Sequence, residues 1–361
     1  MAVESVSLPL VTLVLPGYNE AAVLTRNLDA IMVYLQTLAD RYRFEVLVIN
    51  DGSRDATGEV AEAAAKRYQN LRVIHHPSNF GLGQAFKTAF AASRGDYVVT
   101  MDADLSYAPR TIADLLEAIT TRHAKLVLAS AYMKGGSTTA VPFDRHLFSR
   151  VGNAVMGLMD QRRFSTYTCM VRAYDGPFIR ALEPRSEGMG IMPEIIYKTL
   201  ILGGRIVEIP AHLDWTLQMA DAARDRAAGA APKRQSSMRV LTHMLSTSVS
   251  SFLFRPFMMM LVPGVLLLIF SAYVNTWLMV DFFDALPRAH GQLAEAATLV
   301  YREHPATMLI GLLTLVLSVQ LISLGAMSLQ SKKYYEETYY QIVRLRRQIG
   351  GADARAPDES R

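Results

Sequence analysis

The sequence predicts an α/β fold on a mainly parallel sheet, followed by two membrane-crossing helices. Three observations predict it. Between Leu10 and Ala129, short β-branched and apolar runs alternate with amphipathic helical stretches. Those runs end in turns of glycine and polar residues, the connection a strand–helix repeat needs. Further on, Pro256–Val280 and Ala306–Leu329 contain no charged residue. Each is about 25 residues, roughly 37 Å as a helix, which is enough to cross a bilayer with some tilt.

Composition narrows the classes. The 361 residues are 51% hydrophobic, and the mean hydropathy of +0.16 is high for a soluble chain. The excess lies after Phe252. A formal net charge of +4 gives little electrostatic support for a nucleic-acid partner. The single cysteine, Cys169, excludes an internal disulfide, suits a reducing compartment and reads as a small buried residue. No signal peptide is expected: the N-terminus lacks a basic segment, and Leu8–Leu15 is too short an apolar run.

In order, Leu10–Leu15 is a strand ending at Pro16-Gly17-Tyr18-Asn19-Glu20, and a helix follows over Ala21–Leu38. Phe44–Asn50 is a second strand, ending at Asn50-Asp51-Gly52-Ser53 before a helix over Thr57–Tyr68. Leu71–His75 is a third strand, and Asn79-Phe80-Gly81-Leu82-Gly83 leads into a helix over Gln84–Ala92. Such a repeat predicts parallel strands with right-handed crossovers, whose ligands bind at the carboxyl ends of the strands. The turns at Tyr18–Glu20, Asn50–Ser53, Gly81–Gly83 and Asp102–Asp104 are therefore expected on one rim. Singly, a glycine turn or a helix start is ordinary local structure. Together they point to a site.

The centre of the pattern is Gly95–Ser106. Tyr97–Met101 reads as a buried parallel strand, and Asp102-Ala103-Asp104 leaves its end with two carboxylates converging on one volume. Such a pair is costly without a cation. Mg²⁺ or Mn²⁺, which prefer oxygen and keep positions for water and phosphate, would suit it, with a nucleotide diphosphate as co-ligand. For this motif alone the alternative is a pair of solvated acids capping the helix led by Pro109.

Beyond it, Pro109–Thr121 reads as a helix and Leu126–Ala129 as a strand. Arg145 and Ser149 share one face of a helix, as do Arg150 and Asn153. Gly188–Leu200 reads as a helix carrying Glu194, which either serves a ligand or pairs with a neighbour; Arg205–Pro210 is a last strand. Thr216–Arg239 is rich in Ala, Arg and Asp and ends Lys233-Arg234-Gln235-Ser236-Ser237-Met238-Arg239. It reads as a mobile loop whose basic end closes on phosphates, or as a disordered linker.

The order and spacing of these motifs resemble family 2 glycosyltransferases of the GT-A fold over residues 8–330. Within them the resemblance is to the branch of dolichol-phosphate mannose synthase and the bacterial polyprenyl-phosphate glucosyl and aminoarabinosyl transferases. Thr166–Tyr174 resembles a strand of the aminoarabinose branch, and Ser130–Gly136 a Ser-Arg-Tyr stretch with Ala131 in place of the Arg. Asn50 stands where an Asp is common, and Ser106 where mannose synthases often carry a Gln. The resemblance implies that Pro16, Tyr18, Glu20 and Asp51 hold the nucleoside, with Gly81, Ala103, Lys134 and Arg234 completing the donor site. It implies that Asp102 and Asp104 handle the metal, Mg²⁺ or Mn²⁺, and the diphosphate. Arg145 and Arg150, near the membrane, would meet an anionic acceptor phosphate. Four residues would then carry catalysis: Asp102, Asp104, Arg145 and Arg150.

The expected organisation is a catalytic domain over 1–236 with the basic loop at 216–239, an interfacial helix at 237–254 and a membrane hairpin at 255–330. A juxtamembrane helix at 331–349 and a disordered tail at 350–361 complete it. Acids outnumber bases in the loop Asp281–Pro305, whereas Arg239, Arg255, Lys332, Lys333, Arg344, Arg346 and Arg347 flank the spans. The positive-inside rule then places the catalytic domain and C-terminus on the cytoplasmic side. Relatives imply a homotetramer. The activity implied is inverting transfer of a sugar from a UDP- or GDP-linked donor to a polyprenyl phosphate (undecaprenyl, decaprenyl or dolichyl). Two alternatives stay open. A processive polysaccharide synthase would carry a Gln/Arg-x-x-Arg-Trp motif and more membrane helices, but Asp214, not Arg, stands directly before Trp215 and only two spans are seen. A membrane-anchored nucleotide-sugar-binding scaffold would lack turnover.

Overall fold

The computed structural model describes residues 7–143, 146–147, 149–150, 153, 164–227 and 258–353. The chain falls into two compact units, Met1–Phe254 with Val343–Arg361, and Arg255–Ile342.

In the first unit the strands are β1 (Leu10–Gly17), β2 (Arg43–Asn50), β3 (Leu71–His75), β4 (Tyr97–Thr100), β5 (Leu126–Ser130), β6 (Ser137–Thr139), β7 (Arg172–Asp175), β8 (Ile206–Pro210) and β9 (His212–Asp214). The helices are α1 (Ala21–Gln36), α2 (Thr57–Arg67), α3 (Leu82–Ala92), α4 (Thr111–Thr121), α5 (Gly176–Leu182), α6 (Ile191–Ile201) and α7 (Thr216–Ala227). Seven strands form one sheet in the order β3-β2-β1-β4-β7-β5-β8. All neighbours are parallel except β7, which runs antiparallel to both β4 and β5.

The period-2 alternation of the strands sorts the core into two layers. Val11, Leu13 and Leu15 of β1 pack with Leu24, Leu28 and Ile31 of α1 and with Ile112 and Leu116 of α4. Val14 faces the other way, into a layer with Phe86 and Phe90 of α3, Ile179 of α5 and Ile195 of α6. A parallel sheet covered on both faces in this way reads as continuous apolar runs, which is how these strands look in sequence.

The strand order reverses about β1. β2 pairs on one side and β4 on the other, with Val14 in register with both Leu47 and Thr100. Chains leaving β1 and β4 diverge there, and the gap between them is where an open α/β sheet accepts a ligand.

Two expectations are corrected, and one small sheet is added. Thr166–Tyr174 is not one strand. Only Arg172–Asp175 pairs in the sheet: the preceding loop turns Tyr167 O and Cys169 O onto the Arg172 guanidinium, which also donates to Met192 O of α6, all at 2.7–2.8 Å. Thr216–Arg239 does not begin as a loop: α7 covers its first half, while Arg234 and the rest lie outside the described residues. The strands β6 and β9 form a small parallel sheet of their own, and Tyr107 bridges to Leu213.

Two further helices, α8 (Met258–Ala285) and α10 (Pro305–Asp353), contain segments long and apolar enough to cross a membrane, Met260–Ala285 and Pro305–Val343. Gly311 lets the helices approach: Ser271 Oγ and Asn275 Nδ2 both donate to its carbonyl at 3.2 Å, as small residues do at such interfaces. The connection expected as a plain loop contains α9 (Leu293–Glu303), whose Ala296 and Val300 pack on Ala285 and Ala289. The segment at 331–349 is not a separate helix. It continues the second span within α10, since no Gly or Pro interrupts Ala326–Ile349.

Candidate functional site

The turns after β1 and β2 are tied together by polar contacts. Asn19, in the left-handed region at φ 58°, donates its N–H to Ser53 Oγ (3.0 Å) and accepts the Arg54 N–H on its side-chain oxygen (2.9 Å). Glu20 N–H donates to Thr57 Oγ1 at 2.8 Å. Tyr18 and Glu20 are thus fixed at the rim without a helix cap of their own.

Asp51 anchors the next wall. One carboxylate oxygen lies 2.7 Å from His76 Nδ1 and accepts the Phe80 N–H at 3.0 Å; the other accepts the Gly81 N–H at 2.9 Å. Gly52, at φ +65°, lies so close to the Ser78–Asn79 backbone that a Cβ would sit 2.2 Å from Ser78 C. Only glycine fits there.

The acid turn is held from three directions. Asn27 of α1 donates its buried amide to Ala103 O at 2.8 Å. Ser106 N–H donates to Asp104 Oδ1 at 2.9 Å, and Gln218 of α7 donates to Asp104 O at 2.9 Å. Burial, with Asp104 and then Glu20 nearby, pushes the Asp102 carboxyl up to about 8.

These parts enclose a cleft of ≈ 310 Å³. Pro16 and Gly17 of β1 line it with Tyr18 and Glu20 of the following turn, Asp51 just past β2, and Asn79, Gly81, Leu82 and Ala85 at the start of α3; Asp102, Ala103, Asp104 and Met170 close it. Eight residues picked from sequence, Pro16, Tyr18, Glu20, Asp51, Gly81, Asp102, Ala103 and Asp104, meet there. Lys134 and Arg150 do not: both are exposed and neither lines the cleft. Arg145 and Arg234 lie outside the described residues.

A divalent cation fits this donor set. Among the described residues no lysine, arginine or histidine forms an ion pair with Asp102 or Asp104. Apart from the Ser106 N–H on Asp104 Oδ1, nothing positive among these residues offsets the two acids, and their repulsion is what a cation relieves. No cluster of three or more His, Cys, Asp or Glu forms a protein-only metal cage among the described residues. Mg²⁺-like sites, with one or two carboxylates and substrate phosphates, do not need one.

Two residues outside the cleft are structural. Glu194 accepts from the Arg185 and Ser186 N–H groups and pairs with Lys198, all at 2.8 Å. Burial pushes the Cys169 thiol up to about 11, so it is no nucleophile near neutral pH. Sequence reading missed Asn27, His76, Met170 and Gln218. Asn27 alone left a signal, as a polar residue at buried helical spacing between Leu24 and Ile31.

A model of the family described as glycosyl transferase family 2 matches residues 12–178. Undecaprenyl-phosphate mannosyltransferase of Micrococcus luteus is 33% identical over 204 residues, 55% of this chain and 80% of that protein. Dolichol-phosphate mannosyltransferase of Pyrococcus furiosus is 29% identical over 203 residues, 55% of each chain. Glucosyl-3-phosphoglycerate synthase of Mycobacterium tuberculosis, solved with Mn²⁺, UDP and phosphoglyceric acid, shows only a loose likeness: a TM-score of 0.45 at 20% identity, over 61% of this chain and 76% of that one. On the family match and the Micrococcus relative, the chain belongs to glycosyl transferase family 2 and is a glycosyltransferase.

Proposed function

We propose that this protein transfers a sugar, with inversion, from a UDP- or GDP-linked donor to a polyprenyl phosphate at a membrane surface. The observation that carries the reading is the cleft at the β1/β4 reversal, where the acid pair and the Asp51-anchored wall face one volume. The names of the two mannosyltransferase relatives support a polyprenyl-phosphate acceptor, as do two helices apolar enough to span.

The nucleoside would sit against Pro16, Tyr18, Glu20 and Asp51, with the diphosphate over Gly81 and the acid turn. Asp102 and Asp104 would hold Mg²⁺ or Mn²⁺, which when bound neutralises charge on the departing nucleotide. The acceptor needs no general base, because a phosphate monoester with its second pKa near about 6 is already an anionic nucleophile at neutral pH. What remains is to bring two anions together, a matter of positioning and charge. Arg145, Arg150 and the basic segment Lys233–Arg239 are the cations we assign to the acceptor phosphate. The catalytic unit and C-terminus are assigned to the cytoplasmic side from the flanking charges, and the assembly to a homotetramer.

The test is a partition assay. Purified full-length protein in detergent receives undecaprenyl phosphate, Mn²⁺ or Mg²⁺, and radiolabelled nucleotide sugars singly. Label from one donor moving into the organic phase is the expected result. Label in a water-soluble polymer would replace this reading with a polysaccharide synthase, and nucleotide binding without transfer would replace it with a scaffold.

A further inference from the structure

Between α5 and α6 the chain runs Glu183-Pro184-Arg185-Ser186-Glu187-Gly188. Only Pro184 of this loop is buried, and Glu183, Arg185 and Glu187 are exposed. A segment with so little apolar packing keeps one position only if its main chain is tied down. The ties come from α6. Glu194 accepts the Arg185 N–H on Oε1 and the Ser186 N–H on Oε2, each at 2.8 Å. Lys198, one turn further on, pairs with Glu194 Oε1 at 2.8 Å and donates to Glu183 O at 2.7 Å. Both residues are buried.

The other edge of the loop meets the wall of the cleft. Glu187 O accepts the Gly83 N–H at 2.6 Å and the Gln84 N–H at 3.2 Å, so it satisfies two of the amides left open at the start of α3. Lys87, on the same helix, donates to Arg185 O at 3.2 Å. The approach is close enough to exclude a side chain: a Cβ on Gly83 would lie 2.3 Å from Ser186 O, and one on Gly81 would lie 2.9 Å from Glu187 O. Gly81, Leu82 and Ala85, at this end of α3, line the cleft. That end is therefore held from two sides, by Asp51 through the Gly81 N–H and by α6 through the loop.

A buried ion pair adds little stability that apolar side chains of similar volume would not also supply. Bonds from that pair to main-chain groups do something apolar packing cannot, because they fix where the loop stops. We propose that Glu194 and Lys198 are positioning residues of the donor site: through the loop at 183–188 they set the start of α3, and with it the Gly81–Ala85 wall that faces the nucleotide. They touch no substrate themselves. This rests on the reading of the cleft as the nucleotide-sugar site.

The test replaces both residues at once, since removing one alone leaves the other as an unpaired buried charge. Glu194→Met with Lys198→Met keeps the volume, and the freed Arg185 and Ser186 amides lie in an exposed loop where water can take them up. Purified full-length protein in detergent is titrated with UDP and with GDP in the presence of Mn²⁺, and KM is measured for the nucleotide sugar and for undecaprenyl phosphate. We expect melting close to wild type, nucleotide affinity lower by about tenfold, a matching rise in donor KM, and an unchanged acceptor KM. Gly83→Ala pushes the same loop and helix apart from the other side, so it should weaken nucleotide binding too. Combined with the methionine pair it should cost little more than either change alone, because both act at one contact. Wild-type nucleotide affinity in the folded methionine pair overturns the proposal. Losses that add in full, or donor and acceptor KM rising together with a lower melting temperature, overturn it as well, since they mark separate or general damage. A wild type that binds neither UDP nor GDP takes down the reading of the cleft and this inference with it. Nucleotide binding without transfer would remove only the proposed activity, because the titration needs no acceptor.

Discussion

Asn27, in the middle of α1, donates its side-chain amide to the main-chain oxygen of Ala103, 76 residues away, at 2.8 Å and out of contact with water. The turn between the two acids is thus pinned by a helix that itself packs into the core through Leu24, Leu28 and Ile31. The spacing of the carboxylates is set by α1 as well as by β4.

Replacing Asn27 by alanine leaves the Ala103 carbonyl buried and single. The expected cost is about 1–3 kcal/mol of stability, read as a lower melting temperature. Because the lost bond holds the acid turn, Mn²⁺ affinity should fall as well. A variant that melts lower but binds Mn²⁺ as wild type would show that the turn keeps its shape without Asn27.

Asp51 holds Phe80 and Gly81 through both of its oxygens. Asp51→Ala frees two N–H groups and the His76 ring together, so the wall loses its anchor and nucleotide binding is expected to weaken by about 10- to 100-fold, the worth of one hydrogen bond to a charged group at roughly 1.5–3 kcal/mol. Asp51→Asn keeps one acceptor and should lose less. Isothermal titration with UDP and with GDP distinguishes them; equal affinities in all three proteins would remove Asp51 from the site.

The parallel half of the fold was legible because β1, β2 and β4 have cores buried on both faces, so their apolar runs and the Gly-rich turns between them are strong signals. The rim residues followed from those strand ends. The antiparallel β7 was harder to read, since its register depends on a guanidinium gathering carbonyls rather than on periodicity. Strands β6 and β9 are three residues each, too short to show a period. Helix α7 carries no apolar stripe to announce it. Asn27 and Gln218 act on main-chain oxygens 76 and 114 residues away, and a contact to backbone leaves no motif in the partner's sequence.

Arg172 is fully buried and is held by three carbonyls, with no carboxylate among the hydrogen-bond partners of its guanidinium. Burial lowers its pKa from the ordinary arginine value. Arg172→Met takes the donor away from the buried oxygens of Tyr167 and Cys169 and removes the second bond to Met192 O, at an expected cost of about 3 kcal/mol or more, or a melting temperature lower by roughly 6–12 °C. Arg172→Lys should recover little, since an ammonium cannot reach three oxygens in a plane. A lysine variant that melts like wild type would show that charge, not the planar fork, holds the loop.

The metal-free protein should lose stability as pH rises, because folding raises the Asp102 carboxyl from 3.8 to about 8. The folded chain therefore holds a proton that the unfolded chain releases. Stability from this group is full below about pH 4 and is lost as pH climbs towards 8. Glu208, raised by burial, acts with the same sign, so the contribution of Asp102 is isolated by comparison with Asp102→Asn. That variant should melt higher than wild type near pH 8 without metal and show a flatter profile between about pH 5 and pH 8. A divalent cation competes with the same proton. Wild-type Mn²⁺ affinity should therefore rise with pH, by up to about tenfold per unit, and level off above about 8. Mn²⁺ affinity independent of pH from about 6 to 8, or a wild-type profile no steeper than that of Asp102→Asn, would mean that Asp102 is already ionised at neutral pH and that the two acids do not share one cation.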